Sequence, residues 1–178
     1  QIQGNRIVIT GSDVNHIKNV LRMKPGEEIA VSNGIDGKEY RCGIEELLEE
    51  EIICTLRFIK EDGLELPARV TFFQGLPKAD KMEFIVQKAV ELGVSRIVPY
   101  LSKNCVSRPD KTEKKVERWR KIAAEAAKQC GRGRLPEVAA VVPVAQAIAQ
   151  AAESETALFF YENERRTGLR DALAGGVR

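Results

Sequence analysis

Residues able to do chemistry fall in three places. The first is a row of cations, Lys114, Arg118, Lys121, Lys128 and Arg132, broken by Glu125. Spacings of three and four residues put such groups on one face of a helix. The row runs into Gln129-Cys130-Gly131-Arg132-Gly133-Arg134. Glycine lets a backbone approach a phosphate closely, and arginine offers that phosphate a two-pronged hydrogen bond. Phosphate contact by Arg118, Lys128, Arg132 and Arg134 is one reading; a solvated helix face is the other. The second place is the loop Gln74-Gly75-Leu76-Pro77-Lys78, which follows an apolar strand and precedes Lys81 and Lys88. Ligands of open parallel sheets bind outside the carboxyl ends of strands. Gly75 and Leu76 are therefore candidate ligand contacts, and Lys78 and Lys81 can face an anion. Tyr161-Glu162 ends another apolar run, Ala157–Tyr161, and is expected at the same sheet edge. The third place is His16, Asn19 and Arg22, near one helical face, where polar groups can contact RNA. A satisfied surface or core histidine is the plainer role for His16.

Much chemistry is excluded. Cys42, Cys54, Cys105 and Cys130 are separated by 12, 51 and 25 residues, and His16 is the sole histidine. No zinc spacing exists, so no metal is expected, and a Ser-His-Asp or Cys-His hydrolase is disfavoured. No G-x-G-x-x-G or G-x-x-x-x-G-K-[ST] run occurs, against dinucleotide and P-loop chemistry. The free cysteines suit a reduced, cytoplasmic setting. No apolar run reaches the roughly 18 residues of a membrane span, and the opening QIQGNRIVIT reads as a strand.

The elements that must position these groups come in two patterns. The chain has 178 residues, 43% hydrophobic and 30% charged, with net charge +2. Residues 1–66 hold 8 Lys/Arg against 13 Asp/Glu; residues 67–178 hold 20 against 13; residues 96–134 hold 12 against 4. A concentrated basic stretch is the footprint of a polyanion partner. The acidic run from Glu45 to Glu51 reads as a solvated turn. Up to residue 62 the pattern is short strands: Arg6–Thr10, Glu28–Ser32, Glu39–Ile44 and Glu51–Ile59, with a hairpin around Asn33–Gly37. Ser12-Asp13 is expected to cap a small helix carrying Val14, Ile17, Val20 and Leu21. This half is expected to form a small β-barrel. A linker, Glu61–Pro67, divides the chain into domains 1–65 and 66–178. Beyond it strands and helices alternate: strand Arg69–Phe73, a helix opened by Asp80 and stopped by Gly93, strand Ser95–Pro99, helix 112–130 around Trp119, strand Val138–Val142, helix Val144–Ala152 and strand Ala157–Tyr161. That alternation predicts a parallel α/β sheet.

The runs HIKNVLRMKPGEE, FFQGLPKADKMEFIVQKAVELGV, ERWRKIAAEAAKQCGRGRLPEV and FFYE resemble the RsmE-type 16S ribosomal RNA uridine-N3 methyltransferases of the SPOUT superfamily, over nearly the whole chain. The resemblance implies a PUA-like RNA-binding barrel followed by a knotted, Rossmann-like SPOUT domain. It implies S-adenosylmethionine as methyl donor, the small ribosomal subunit as partner, and a homodimer. With that donor and partner, the strand-end candidates Gly75, Leu76, Tyr161 and Glu162 are expected to contact the donor, and His16, Asn19, Arg22, Lys78, Lys81, Arg118, Lys128, Arg132 and Arg134 are expected to contact RNA. The family's Gly-Pro-Glu-Gly-Gly loop and Arg-Thr-Glu-Thr-Ala-like segment do not occur in these residues, so the knot region is expected to be missing and no catalytic residue is assigned. An RNA-binding module without catalysis is the alternative; a small-molecule-binding α/β domain with an incidental basic face is a third. The whole scheme requires Arg118, Lys128 and Arg132 to gather near Gly75 and Tyr161.

Overall fold

The computed structural model describes residues 2–60, 65–78, 81–103, 105, 112–166 and 168–174. The expected N-cap Asp80, part of the linker (61–64) and the last four residues lie outside these. Five strands form one antiparallel sheet: β1 (Ile2–Gln3), β2 (Arg6–Thr10), β3 (Glu28–Val31), β4 (Glu39–Leu47) and β5 (Glu51–Lys60), in the order β1-β2-β5-β4-β3. Central β5 is buried on both faces at its start, through Ile52, Ile53 and Cys54. Ile7, Tyr40, Cys42 and Ile44 close the core with Val14 and Ile17. Register shifts at Arg41/Cys42 and Ile44/Glu46 bend β4. The curl brings β2, β3 and Tyr40 around one small pocket, although β2 and β3 are not neighbours in the ladder. The hairpin around Asn33 forms as expected, with the Asn33 side chain accepting the Ile35 and Asp36 N–H groups. The acidic run is only partly a turn: Glu45 and Glu46 belong to β4 and Glu51 to β5.

The small helix departs from expectation. Its N-cap is Gly11, at φ 76°, and Ser12 lies inside α1 (Ser12–Asn15) without a side-chain cap. The chain then widens into a π-helical turn, His16–Val20. The extra residue per turn rotates Val20 and Leu21 off the core face, leaving them 62% and 53% exposed. Arg22 closes the turn at φ 54°, and the Met23 N–H reaches back to the Ile17 carbonyl.

The second sheet is parallel. Strands β6 (Thr71–Gly75), β7 (Arg96–Leu101) and β8 (Glu137–Val138) pair in that order, and β9 (Val142–Pro143) pairs further along β7. The expected strand Val138–Val142 is thus two fragments. Ala139-Ala140 between them have low strand propensity and no large side chain to seat on the pleat. Helix α2 (Lys81–Glu91) and helix α3 (Thr112–Gln129) share a core built from Met82, Val86, Val90, Val116, Trp119, Ala123 and Ile97. Helix α4 (Val144–Ala152) spans the residues expected and lies against β6, β7 and β9. Ile97 and Val98 are both fully buried, and successive strand residues face opposite ways, so both faces of β7 are covered. A short helix, α5 (Leu169–Ala174), buries no side chain.

The expected strand Ala157–Tyr161 does not form. Residues 157–161 join no ladder, and Phe159, Phe160 and Tyr161 are 84%, 75% and 58% exposed. Strands of a parallel sheet are held by burial on both faces, and none of the described helices covers this run. Apolar composition alone could not reveal that lack of cover.

Candidate nucleic-acid interface

Parallel topology assigns each loop to a sheet edge. Helix α3 leaves β7 at the carboxyl edge and returns to β8 at the amino edge. Its 18 residues at about 1.5 Å each separate its ends by about 27 Å. The Gly131–Arg134 turn therefore lies at the opposite edge from Gly75. This corrects the expectation that cations of the turn cluster with the Gly75 loop.

The three arginine and lysine positions central to that expectation are each held by a carboxylate. The Arg118 guanidinium donates to Glu83 at 2.8 Å, in the first turn of α2. The Lys128 ammonium donates to Asp13 at 2.8 Å, and that bond raises its pKa. Arg132 is 7% exposed. It donates to Glu65 at 2.6 Å and to the Val94 and Val90 carbonyls at 2.5 and 3.3 Å. Arg132 is a structural residue and not an RNA contact. A guanidinium buried among its acceptors has no free face for phosphate. Arg118 and Lys128 remain exposed at the surface, and so does Arg134, whose N–H donates to Glu65 at 2.9 Å.

The carboxyl edge carries a different set of cations. Lys78 follows β6, Lys81 opens α2, Lys103 follows β7 and Lys114 lies in the first turn of α3; all four are exposed. None is held in an ion pair among the described residues. Lys78 and Lys81 were expected here. Lys103 was missed, because only the sheet topology brings it beside them.

Two of the four candidate donor contacts, Gly75 and Leu76, are hydrogen-bonded within the protein. The Gly75 carbonyl accepts from the Gln74 side chain at 2.7 Å, and the Leu76 N–H donates to the Tyr100 carbonyl at 3.0 Å. A Cβ on Gly75 would lie 3.3 Å from the Tyr100 ring, so this glycine makes room for Tyr100. Leu76 is 8% exposed, and the Cys105 thiol lies 3.6 Å from its carbonyl. Tyr161 and Glu162 stand on exposed chain outside the sheet. The backbone groups of Gly75 and Leu76 are thus already paired, and Tyr161 and Glu162 are not held at the strand end expected of donor contacts. Among the described residues no group of three or more His, Cys, Asp or Glu could hold a metal, and no helix is long and apolar enough to cross a membrane.

Cys105 ties the two strand exits together. Burial raises its pKa, but hydrogen bonds from the Ser102 hydroxyl and N–H outweigh that and bring it below the ordinary thiol value. Burial pushes Cys54 up to about 11 and Cys42 in the same direction. A disulfide reagent at mildly alkaline pH should therefore modify Cys105 well before Cys42 and Cys54, which wait for unfolding. Equal rates at the three thiols would contradict this order.

In the first sheet's unit, His16 and Asn19 are exposed on the π-helical turn and Arg22 follows it. The Asn19 amide donates to Asn15 at 2.6 Å. The Lys128–Asp13 pair places α1 beside the end of α3, so these three residues belong near the amino edge, away from Lys78 and Lys81.

Residues 64–175 match the family model described as an RNA methyltransferase domain, and residues 9–57 match that of an RNA methyltransferase PUA domain. The ribosomal RNA small subunit methyltransferase E of Bacillus subtilis is 36% identical over 171 residues, 95% of this chain and 66% of that protein. Its namesake in Aquifex aeolicus is 31% identical, over 90% of this chain and 69% of that protein. The chain belongs to the RsmE-type RNA methyltransferase family. A solved RsmE-type structure, the Neisseria gonorrhoeae ribosomal RNA small subunit methyltransferase E bound to S-adenosyl methionine, superposes with a TM-score of 0.75 at 28% identity. That match covers 88% of this chain and 64% of the Neisseria chain. The antiparallel unit is thus the PUA-like domain of the family, and the parallel sheet is its methyltransferase domain. The chain spans 66% of the Bacillus relative and 50% of the Synechocystis one.

Proposed function

We propose that this chain is the RNA-docking part and sheet scaffold of an S-adenosylmethionine-dependent methyltransferase that modifies N3 of a uridine in 16S ribosomal RNA of the small subunit. Domains 1–65 and 66–178 divide that work, in a cytoplasmic homodimer. The observation that carries the reading is the row Lys78, Lys81, Lys103 and Lys114, unpaired among the described residues, along the carboxyl edge of a sheet whose family is an RNA methyltransferase family. Four exposed cations along one sheet edge suit a phosphate backbone, and parallel sheets hold their ligands at that edge. His16, Asn19 and Arg22 supply a second RNA surface on the PUA-like domain. Uridine N3 carries a proton in its neutral form. It becomes nucleophilic when that proton leaves, and fixed cations near the base favour the resulting anion. S-adenosylmethionine, when bound, supplies the methyl group; the residues named above as donor candidates do not complete its site.

The four lysines give the test. Replacing Lys78, Lys81, Lys103 and Lys114 together by alanine should weaken binding of a small-subunit rRNA fragment. The slope of log affinity against log salt should fall by about 0.7–0.9 for each phosphate that is no longer neutralised. An unchanged slope overturns the rim assignment. The N3 position is read by primer extension on RNA treated with the full-length protein and donor. A methyl at N3 removes a Watson–Crick donor and stops the copying strand; read-through at every uridine refutes it. A second reading, RNA binding without catalysis by these residues, is favoured by the internal pairing of Gly75 and Leu76. Calorimetric titration of the 178-residue chain with the donor separates the two readings: no heat favours the second.

A further inference from the structure

The turn after α3 meets the PUA-like domain along a built seam. The Leu135 N–H donates to the Gly34 carbonyl at 2.8 Å, and Gly34 and Arg134 form a parallel bridge. The Ser32 hydroxyl donates to the Gly133 carbonyl at 2.9 Å while accepting the Gly34 N–H at 3.1 Å. Gly133 sits so close that any Cβ there would lie 2.5 Å from the Gly37 backbone. The Glu65 carboxylate, between the domains, accepts from the Arg132 guanidinium and the Arg134 N–H. Arg132 in turn donates to Val90 and Val94, the chain leaving α2. To one side Lys128 pairs with Asp13.

We propose that Arg132–Leu135 is an interdomain clasp that holds the PUA-like domain at one orientation to the parallel sheet. Domains joined by a linker alone move relative to one another by default. A single point of attachment would leave a hinge. Here the turn and α3 grip the first domain at Asp13, at Ser32-Gly34 and at Gly37, and most of the groups involved are backbone, which has no rotamer to change. The arginine-glycine sequence is used for this purpose: Gly133 permits backbone-to-backbone approach, and the Arg132 fork reaches three acceptors at once. The consequence is a fixed spacing between the RNA surfaces at His16–Arg22 and at the lysine rim. That consequence rests on the function proposed above; the orientation does not.

Residual dipolar couplings on the nitrogen-labelled chain test the orientation. Both domains of the unaltered chain should report one common alignment. Gly133→Val should keep each domain's own amide pattern and lose the common alignment. If Gly133→Val does not fold, the pair Ser32→Ala with Leu135→Pro, which removes the hydroxyl bond to Gly133 and the backbone N–H bond to Gly34, is read in the same way. A common alignment retained in the folded variant overturns the clasp. Loss of one domain's native pattern in the double variant overturns it too, because the seam would then be part of that domain's fold. The RNA consequence has its own readout. The clasp variant should bind a structured rRNA fragment more weakly and a short single-stranded oligonucleotide as before. Equal weakening for both removes the fixed-spacing idea and leaves the orientation result standing.

Discussion

Glu65→Ala should lower the stability of the chain by about 3 kcal/mol, the low end for breaking a buried ion pair. The low end applies because Glu65 keeps 15% of its side-chain exposure while Arg132 keeps 3%. Removing the carboxylate strands the guanidinium among two carbonyls, with no counter-charge beside it. For a chain of this size that loss lowers the melting temperature by about 6–12 °C. Urea melts followed by Trp119 fluorescence measure it. The pH dependence has a definite sign. Burial raises the Glu65 pKa, but hydrogen bonds from the Arg132 side chain and the Arg134 N–H outweigh it and hold the carboxyl below its ordinary range. A depressed folded pKa means the stabilisation is complete above the ordinary carboxylate range and fades as pH falls through the folded value. The gap between the unaltered chain and Glu65→Gln should therefore be full at neutral pH and close in acid. A gap independent of pH, or a loss under about 1 kcal/mol, contradicts the buried pair.

Trp119→Ala should cost about 3–5 kcal/mol, the usual range for deleting a buried aromatic. Trp119 is 4% exposed and packs in the α2–α3 core with Val86, Val116 and Ala123. Being the only tryptophan, it takes the fluorescence signal with it, so circular dichroism must follow the melt. Trp119→Phe should recover most of the loss. RNA affinity of the folded fraction should keep its salt slope, because the ring faces the core while Lys114 lies on the outer side of α3. A weaker slope with unchanged stability would make Trp119 a stacking platform and contradict this placement.

These two residues illustrate how legible the chain was. Trp119 was readable because a helix repeats every 3.6 residues: Val116, Ala123 and Ala126 mark the buried stripe wherever the helix is placed. Glu65 was not. It is one carboxylate in a short linker, and its partner lies 67 positions on. Nothing in local spacing encodes that meeting. Arg132 was misread for the same reason. Arginine beside glycine suits phosphate and suits a carboxylate with two carbonyls equally well, and only burial distinguishes the cases.

The amino-acid sequence by itself determined the three longer helices α2, α3 and α4, the hairpin at Asn33 and the parallel sheet of the later half; it did not determine the turn that splits the opening strand into β1 and β2, the π-helical turn, or α5. Those it did determine follow from side-chain periodicity and turn chemistry, which act over a few residues. It also carried the family, through long motifs in order. The tertiary structure decided which cations are free. Strand direction sends the two ends of α3 to opposite sheet edges, carboxylates from distant segments neutralise Arg118, Lys128 and Arg132, and Lys103 joins Lys78 and Lys81 across space. It also decided that Ala157–Tyr161 is no strand, since a ladder requires a neighbour and a cover that no apolar run can supply for itself.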